Sequence, residues 1–141
     1  MKKILVISDW GPPMVDGPSI ILGNLLREFK KDDVVLFKRK INRNTNIYNK
    51  RGNELSIKEY SVFVPTPYLP GLNSFLLRVL RLLETLFVPL TVIKGLWVCV
   101  IEDIDYILTT SDQPHVHFLT SAYLIARMAK KRLVMYLLDP A

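Results

Sequence analysis

Short apolar runs and amphipathic stretches alternate along the chain. Residues 3–8, KILVIS, form an apolar run that ends in polar residues and a proline-rich stretch, which is typical of a buried strand followed by a loop. From Ser19 onwards, apolar residues recur every three or four positions as far as Phe29, which predicts an amphipathic helix that Ser19 caps. Further short apolar runs predict strands at 33–38, 104–110 and 132–138, and an imperfect alternation that Pro65 and Pro67 end predicts one at 57–64.

The middle of the chain is its most apolar part. Residues 75–88 have a helical pattern with one narrow polar stripe, formed by Arg78, Arg81, Glu84 and Thr85. Such a helix is either sandwiched within protein or lies in a membrane interface, and a pairing of Arg81 with Glu84 does not decide between the two. After Pro89, residues 90–101 form a second helix or, as the alternative, a strand. Charged residues interrupt the segment too often for a membrane span.

A third helix is predicted after the fourth strand. Ser111 or Asp112 caps it, Pro114 suits its first turn, and Lys130 to Arg132 close it where the helix dipole favours cations. Strands separated by helical stretches indicate a doubly wound parallel sheet, an α/β Rossmann-like fold. The carboxyl ends of such strands meet at one edge, where ligands bind. That edge is predicted to hold residues 9–19, residues 111–115 and Asp139.

The composition indicates one folded domain over residues 1–141. Hydrophobic residues make up 50% of the chain and charged residues 23%, which excludes disorder, collagen and a disulfide scaffold. Because Cys99 is the only cysteine, no intramolecular disulfide can form, and a reducing cytosol is favoured. The mean hydropathy of +0.22 is high for so short a chain and indicates apolar surface that serves a partner or a membrane.

The net charge of +6 is concentrated in one segment. Residues 38–51 contain six basic residues and no acid, while the rest of the chain is balanced. The segment is also rich in asparagine, and it is interpreted as an exposed loop. Nucleic-acid binding needs interleaved aromatic residues, and only Tyr48 is present, so no nucleic-acid partner is expected. Two interpretations stay open: a solvated loop without a partner, and a patch for anionic phospholipid or a phosphorylated substrate.

The loop after the first strand leads into a helix N-terminus, where free amides attract anions. It lacks both the G-x-G-x-x-G spacing and a Walker lysine, so a stiff, proline-set connection is the alternative interpretation. His115 and His117 stand two apart at a helix start and cannot chelate a metal together; His115 is the functional candidate, and His117 is assigned to the surface or to packing. Asp139 is either a ligand-binding acid or a turn residue before Pro140.

Three features, in chain order, resemble family 4 glycosyltransferases. The first is an apolar strand followed by Pro12-Pro13 and by Gly17 just before the first helix. The second is the strand 105–111 with its small-residue end and Pro114, and the third is the final strand that ends in Leu138-Asp139-Pro140. The resemblance covers the whole chain. It implies the N-terminal half of a two-domain GT-B architecture, incomplete because the C-terminal nucleotide-sugar domain is absent.

The resemblance implies an enzyme of cell-envelope polysaccharide synthesis that transfers a sugar from a nucleotide sugar to a hydroxyl acceptor. It makes Asp139 the catalytic candidate, in contact with the acceptor hydroxyl. The implied substrate-binding residues are Pro13, Asp16, Gly17, Ser111, Asp112 and His115. Asp16 stands where the family usually has a glycine, and Pro18 has no amide proton, which argues against a donor-phosphate contact in this loop.

The resemblance implies no metal and no cofactor, since the nucleotide sugar is a substrate that the absent domain mainly holds. The isolated chain is therefore expected to be inactive. Its acceptor is lipid-linked if residues 38–51 and 75–88 dock to the anionic inner face of the cytoplasmic membrane, in a cytoplasmic, peripheral location. Two other classes stay open: a non-catalytic, flavodoxin-like binding or regulatory module, and an interaction subunit whose apolar helix docks a partner polypeptide.

Overall fold

The structure is a computed structural model that describes residues 2–9, 17–40, 56–65, 73–111 and 116–137. Its strands are β1 (Ile4–Ser8), β2 (Val34–Arg39), β3 (Lys58–Val62), β4 (Tyr106–Ser111) and β5 (Arg132–Leu137). Its helices are α1 (Gly17–Arg27), α2 (Ser74–Leu86), α3 (Val88–Ile101) and α4 (Val116–Ala129), and a single 3-10 turn covers Lys31–Asp33.

All five strands run parallel in one sheet with the order β3-β2-β1-β4-β5. The central strand β1 pairs with β2 on one side and β4 on the other, with Ile4 opposite both Val34 and Tyr106. The order reverses at β1, as it does in Rossmann folds. The prediction of an α/β, Rossmann-like, doubly wound parallel sheet is therefore confirmed.

Two apolar layers cover the sheet because successive strand residues point to opposite faces. Leu5 and Ile7 of β1 belong to a core that α3 and α4 complete with residues such as Val98 and Ile125. Val6 faces the other way and packs in a smaller core with residues of α1 and β2: Leu22, Leu26, Val34 and Leu36. A strand buried on both faces reads as a continuous apolar run, which is why the KILVIS pattern located β1 correctly.

The apolar middle of the chain forms two helices that meet at Phe87. The Asn73 side chain caps α2 by accepting a hydrogen bond from the Leu76 amide (2.9 Å). Pro89 lies in the first turn of α3, where its missing N–H leaves no helical hydrogen bond unmade. Residues 90–101 are thus helical, and the strand alternative is wrong. No helix of the described residues has the length and apolar character needed to cross a membrane.

The basic segment 38–51 does not begin as an exposed loop. Lys38 and Arg39 are the last residues of β2, and both are buried. Their backbone pairs with Ser61 and Val62 of β3, so the strand continues past the apolar run. Lys38 Nζ also lies 2.9 Å from the Glu59 carboxylate. The loop prediction is wrong for these two positions, and residues 41–51 lie outside the described residues.

Candidate functional site

The carboxyl edge of the sheet holds a line of buried polar side chains. Asp9 follows β1 directly, and Arg39 ends the neighbouring strand β2. On the other side of β1, Ser8 Oγ and Thr110 Oγ1 are 2.7 Å apart and join the ends of β1 and β4. These groups meet because parallel strands bring their carboxyl ends to one edge, which is where open α/β sheets bind ligands.

Arg39 is the centre of this line and uses all five of its N–H donors. Nε donates to Asp9 Oδ1 (2.5 Å), and Nη2 donates to Asp9 Oδ2 (3.2 Å) and to Glu84 Oε1 (3.0 Å). Nη1 donates to the carbonyls of Val64 (3.2 Å) and Pro65 (2.7 Å). The guanidinium therefore joins β1, β2, the segment after β3 and helix α2. Since no donor is left over, Arg39 organises the site and does not itself bind a ligand.

Burial makes this ion-paired cluster costly to disturb. The exposed fraction is 2% for Arg39, 6% for Asp9 and 4% for Glu84. The guanidinium carbon also lies 5.7 Å from the centre of the Phe118 ring, at the distance of a cation–π contact. Removing one member of a buried ion pair leaves an uncompensated charge in a poorly solvated place. The cluster thus fixes the position of α2 against the sheet.

A cavity of about 710 Å³ opens beside the cluster, between α2 and the first turns of α4. Its volume is within the range of small-molecule sites. It is lined by Arg78, Arg81, Leu82, Glu84, Thr85, Val88, His117 and Thr120. The lining combines two apolar residues, Leu82 and Val88, with polar and charged ones, among them Arg78 and Arg81.

His117 is held in place at the inner wall of this cavity. Its Nδ1 lies 2.9 Å from the Glu84 carbonyl oxygen, which can only accept, so Nδ1 carries the hydrogen and donates it. Its Nε2 lies 3.0 Å from Thr91 Oγ1. Burial lowers the pKa of His117, so the neutral ring is favoured at neutral pH. With both nitrogens engaged, His117 is a packing residue, as predicted.

Arg78 and Arg81 stand three residues apart on the cavity side of α2. Both are exposed, and within the described ranges neither makes a hydrogen bond or an ion pair. The spacing allows Arg81 to pair with Glu84, but the Glu84 carboxylate turns inwards to Arg39 instead. The cavity therefore presents two guanidinium groups, and the nearby Glu84 carboxylate is paired with Arg39 and not with either of them.

A second charged cluster lies at the opposite edge of the sheet. Glu102, just after α3, accepts hydrogen bonds from Lys3 Nζ (2.7 Å) and Tyr60 Oη and is also bonded to Lys58 Nζ. These donors, Lys3 above all, lower the pKa of Glu102 to about 2. The cluster joins the amino ends of β1 and β3 to α3, away from the cavity, and we assign it to stability.

Two further observations limit the chemistry of the described residues. They contain no group of three or more His, Cys, Asp or Glu side chains placed to hold a metal ion. Burial raises the pKa of the Cys99 thiol to about 11, so the thiolate that a nucleophile requires is scarce at neutral pH. The candidate site therefore consists of the cavity and the Arg39 cluster behind it.

The residues predicted to bind substrate are only partly within the described structure. Gly17 is the first residue of α1 and Ser111 is the last residue of β4, so both lie at the carboxyl edge, as expected. The other candidates lie outside the described residues: Pro13, Asp16, Asp112, His115 and the catalytic candidate Asp139. The roles of all seven stay predictions.

Sequence reasoning missed the residues that build the site. Asp9, Arg39 and Glu84 are separated by 30 and 45 positions along the chain, so no local motif contains them. One signal was present: Asp9 and Arg39 carry opposite charges at the predicted carboxyl ends of two consecutive strands. Another was Glu84, the only acid in an otherwise apolar helix with two arginines.

Comparison with known proteins supports the fold. No family model matches the sequence, and no curated protein is similar to it. A solved structure of Phytolacca americana UGT2, complexed with UDP-2fluoro-glucose and pterostilbene, resembles the chain with a TM-score of 0.53 and 14% sequence identity. The match covers 97% of this chain and 31% of that chain, so this chain spans under a third of the length of the UGT2 chain. The similarity supports a GT-B glycosyltransferase-like fold and not family 4 in particular.

Proposed function

We propose that this chain is the acceptor-side region of a glycosyltransferase that moves a sugar from a nucleotide sugar to a hydroxyl acceptor. The observation that carries the proposal is the fold. A five-stranded parallel sheet with a glycosyltransferase-like arrangement extends over nearly the whole chain. The cavity at the carboxyl edge adds a place where an acceptor can bind. The motifs around Pro12-Pro13, 105–111 and Asp139 support family 4 as the finer assignment.

In the proposed reaction the cavity holds the acceptor so that its hydroxyl faces the anomeric carbon of the donor. The Asp139 carboxylate accepts the hydroxyl proton while the new glycosidic bond forms and the nucleoside diphosphate leaves with the electrons of the broken bond. β5 ends at Leu137, two positions before Asp139 in the sequence, and this supports the choice of Asp139 because open α/β sheets bind ligands beyond the carboxyl ends of their strands. The Arg39 cluster contributes by holding α2, one wall of the cavity, in position.

The donor enters this scheme through a second domain. The resemblance implies that such a domain binds the nucleotide sugar and that no metal is required. Rate acceleration depends on holding donor and acceptor together, so in this proposal residues 1–141 bind the acceptor and transfer also needs the second domain. We place the enzyme at the inner face of the cytoplasmic membrane, in the synthesis of cell-envelope polysaccharide.

The test is sugar transfer by the natural polypeptide that carries this sequence. It is incubated with UDP-, GDP- and dTDP-sugars and with a lipid extract and a soluble extract as acceptor sources, and both nucleoside diphosphate and glycosylated product are measured. We expect acceptor-dependent release from one donor class, and a loss of about 10²–10⁴-fold in turnover for Asp139→Asn. The matched control is Asp32→Asn, an exposed acid in the 3-10 turn before β2, which should leave turnover unchanged.

Two results would count against the proposal. If no nucleotide sugar yields nucleoside diphosphate above the rate without protein, the chain belongs to a binding module and not to a transferase. If Asp139→Asn transfers sugar at the wild-type rate, Asp139 has no part in the reaction, and the acceptor proton goes to another group.

A further inference from the structure

Helix α2 carries two arginines, Arg78 and Arg81, on its cavity side. Glu84 is the only acid on α2, and its carboxylate is 3.0 Å from Arg39. Arg78 and Arg81 therefore face the cavity with no acidic partner among the described residues. The planar guanidinium group matches the geometry of phosphate oxygens and forms paired hydrogen bonds with them. Two such groups on one cavity wall favour a phosphate or diphosphate over a single carboxylate.

The apolar side of the same helix is turned to solvent. Successive residues of an α-helix are 100° apart, which puts Leu82 between the side that carries Arg78 and Arg81 and the apolar side. Leu82 lines the cavity although 68% of it is exposed. Phe75 and Leu86 are each 71% exposed. The exposed apolar residues of α2 are Phe75, Leu76, Val79, Leu82, Leu83 and Leu86. We name this set the α2 apolar face.

Helix α3 continues this character. Its exposed residues include Ile93 (66%), Trp97 (53%) and Val100 (80%), spaced as one side of a helix. Neither α2 nor α3 exposes an acidic side chain, since α3 has none and the one on α2 is buried. Apolar residues together with unpaired arginines and no exposed acid are what an anionic lipid surface attracts.

We propose that the cavity binds the phosphate or diphosphate group of a lipid and that the α2 apolar face contacts its hydrocarbon chain. The arginines account for the anionic head, and the apolar residues that adjoin them through Leu82 account for the chain. A soluble phosphate compound would leave the apolar face without a role. The inference names the acceptor class of the proposed transferase, and to that extent it rests on the proposed function.

Vesicle sedimentation without nucleotide sugar tests this inference separately from transfer. The chain is mixed with phosphatidylcholine vesicles, with the same vesicles containing a long-chain isoprenoid monophosphate, and with either in the presence of soluble inorganic diphosphate. We expect tighter binding to the phosphate-bearing vesicles, reduced by salt. Arg78→Ala with Arg81→Ala should weaken that binding about 30-fold, from two basic groups near a lipid surface.

Matched variants separate charge from packing. Arg27→Ala, an exposed arginine of α1 on the other face of the sheet, should bind like wild type. Replacing both cavity arginines by lysine should restore part of the affinity, because the charge returns without the planar fork. Leu82→Ser with Leu86→Ser should weaken binding to both vesicle types, whereas Met128→Ser near the end of α4 should not. Circular dichroism confirms that each variant is folded.

Four results would overturn the inference. If the protein binds the two vesicle types equally, it does not recognise the phosphate group. If the variant without Arg78 and Arg81 binds as tightly as wild type, the cavity is not where the lipid phosphate binds. If soluble inorganic diphosphate releases the protein from the vesicles at the same concentration that saturates it in their absence, the hydrocarbon chain of the lipid does not contribute to binding. Self-association in place of vesicle binding assigns the α2 apolar face to a protein contact.

Discussion

Arg39 is buried and donates five hydrogen bonds, three of them to the buried carboxylates of Asp9 and Glu84. Replacing it by methionine keeps the volume but leaves Asp9 and Glu84 facing each other without the cation between them. We expect a loss of about 3–5 kcal/mol in the free energy of unfolding, measured by urea unfolding. Arg27→Met, on the exposed side of α1, should change stability by less than about 0.5 kcal/mol.

Charge removal on the acidic side provides the internal check. Adding Asp9→Asn and Glu84→Gln to Arg39→Met should recover part of the lost stability, because the repulsion and the unpaired buried charges disappear together. If the single variant and the triple variant are equally unstable, packing and not charge explains the effect of Arg39.

The low pKa of Glu102 predicts that the free energy of unfolding falls at acidic pH. Its pKa is about 2 in the folded protein, below the ordinary value of 4.5, because Lys3, Lys58 and Tyr60 donate to the carboxylate. The stabilisation is therefore complete above about pH 4.5 and is lost as the pH falls towards 2. We expect Glu102→Gln to cost roughly 1–2 kcal/mol at pH 7, since Lys58 is largely exposed, and to cost little near pH 2.

The measurement is urea unfolding at several pH values for wild type and Glu102→Gln. Glu59→Gln is the control, because Glu59 is more exposed and pairs with one lysine only. A difference between wild type and Glu102→Gln that stays constant from pH 7 to pH 2 would contradict the assigned hydrogen bonds.

At the scale of elements, the contact between α3 and α4 depends on Gly95. A Cβ atom built on Gly95 would lie 2.2 Å from Ile125 Cδ1, so α4 approaches the backbone of α3 there. Gly95→Ala gains about 1 kcal/mol in helix propensity but overpacks the contact by about 1–3 kcal/mol. We expect a net loss of stability in the wild-type background, measured by chemical unfolding.

Ile125→Val removes the clashing Cδ1 and turns this into a double-mutant cycle. In that background the nearest approach becomes 3.0 Å, to Cγ1, so Gly95→Ala should destabilise the protein by about 1 kcal/mol less than it does in the wild-type background. If Gly95→Ala has the same effect in both backgrounds, the two helices are not packed as described.

The end of α4 is strained at a lysine. Lys130 has φ 55°, and the amides of Lys130 and Lys131 donate to the carbonyls of Arg127 (3.3 Å) and Ala126 (2.9 Å), as in a Schellman motif. A left-handed conformation costs a non-glycine residue about 1–2 kcal/mol. Lys130→Gly should therefore raise stability by about 0.5–1 kcal/mol after the entropy cost of glycine.

The neighbouring residue is the control for that prediction. Lys131 does not have a positive φ, so Lys131→Gly gains nothing at this helix end and should lower the melting temperature slightly. A Lys130→Gly variant that melts below wild type would show that the lysine side chain outweighs the backbone strain.

Helix α2 shows which part of an element the sequence predicts. The pattern correctly located a helix and its polar stripe, because periodicity depends only on local geometry. It did not indicate that Glu84 is buried, that Arg78 and Arg81 line a cavity, or that the α2 apolar face is turned to solvent. That orientation follows from Arg39, a buried cation 45 positions away that requires Glu84.

At the scale of the molecule, the sheet could be predicted because parallel strands have a strong local signature. Four strands follow from apolar runs and β3 from an imperfect alternation, and the helices that separate most consecutive strands favour parallel pairing. For the candidate site, the sequence predicts only that it lies at the carboxyl edge of the sheet. Its position at the carboxyl ends follows from topology, but the pairing of Asp9, Arg39 and Glu84 depends on long-range packing that periodicity does not encode.

Under the proposed function, the molecule as a whole is a platform for an acceptor. The Arg39 cluster sets α2 against the sheet, α2 forms one wall of the cavity, and the cavity arginines are left for an anion. The same buried cation thus links stability to function. This relation predicts that variants of Arg39 lose acceptor binding along with stability, whereas variants of Arg78 and Arg81 lose binding alone.

Steady-state kinetics of transfer by the natural polypeptide tests the acceptor-side assignment most directly. KM is measured for the acceptor at saturating nucleotide sugar and for the nucleotide sugar at saturating acceptor, in wild type and in Arg78→Ala with Arg81→Ala. We predict that KM for the acceptor rises about 30-fold while KM for the nucleotide sugar changes less than about twofold. A rise in KM for the nucleotide sugar with an unchanged KM for the acceptor would contradict the assignment.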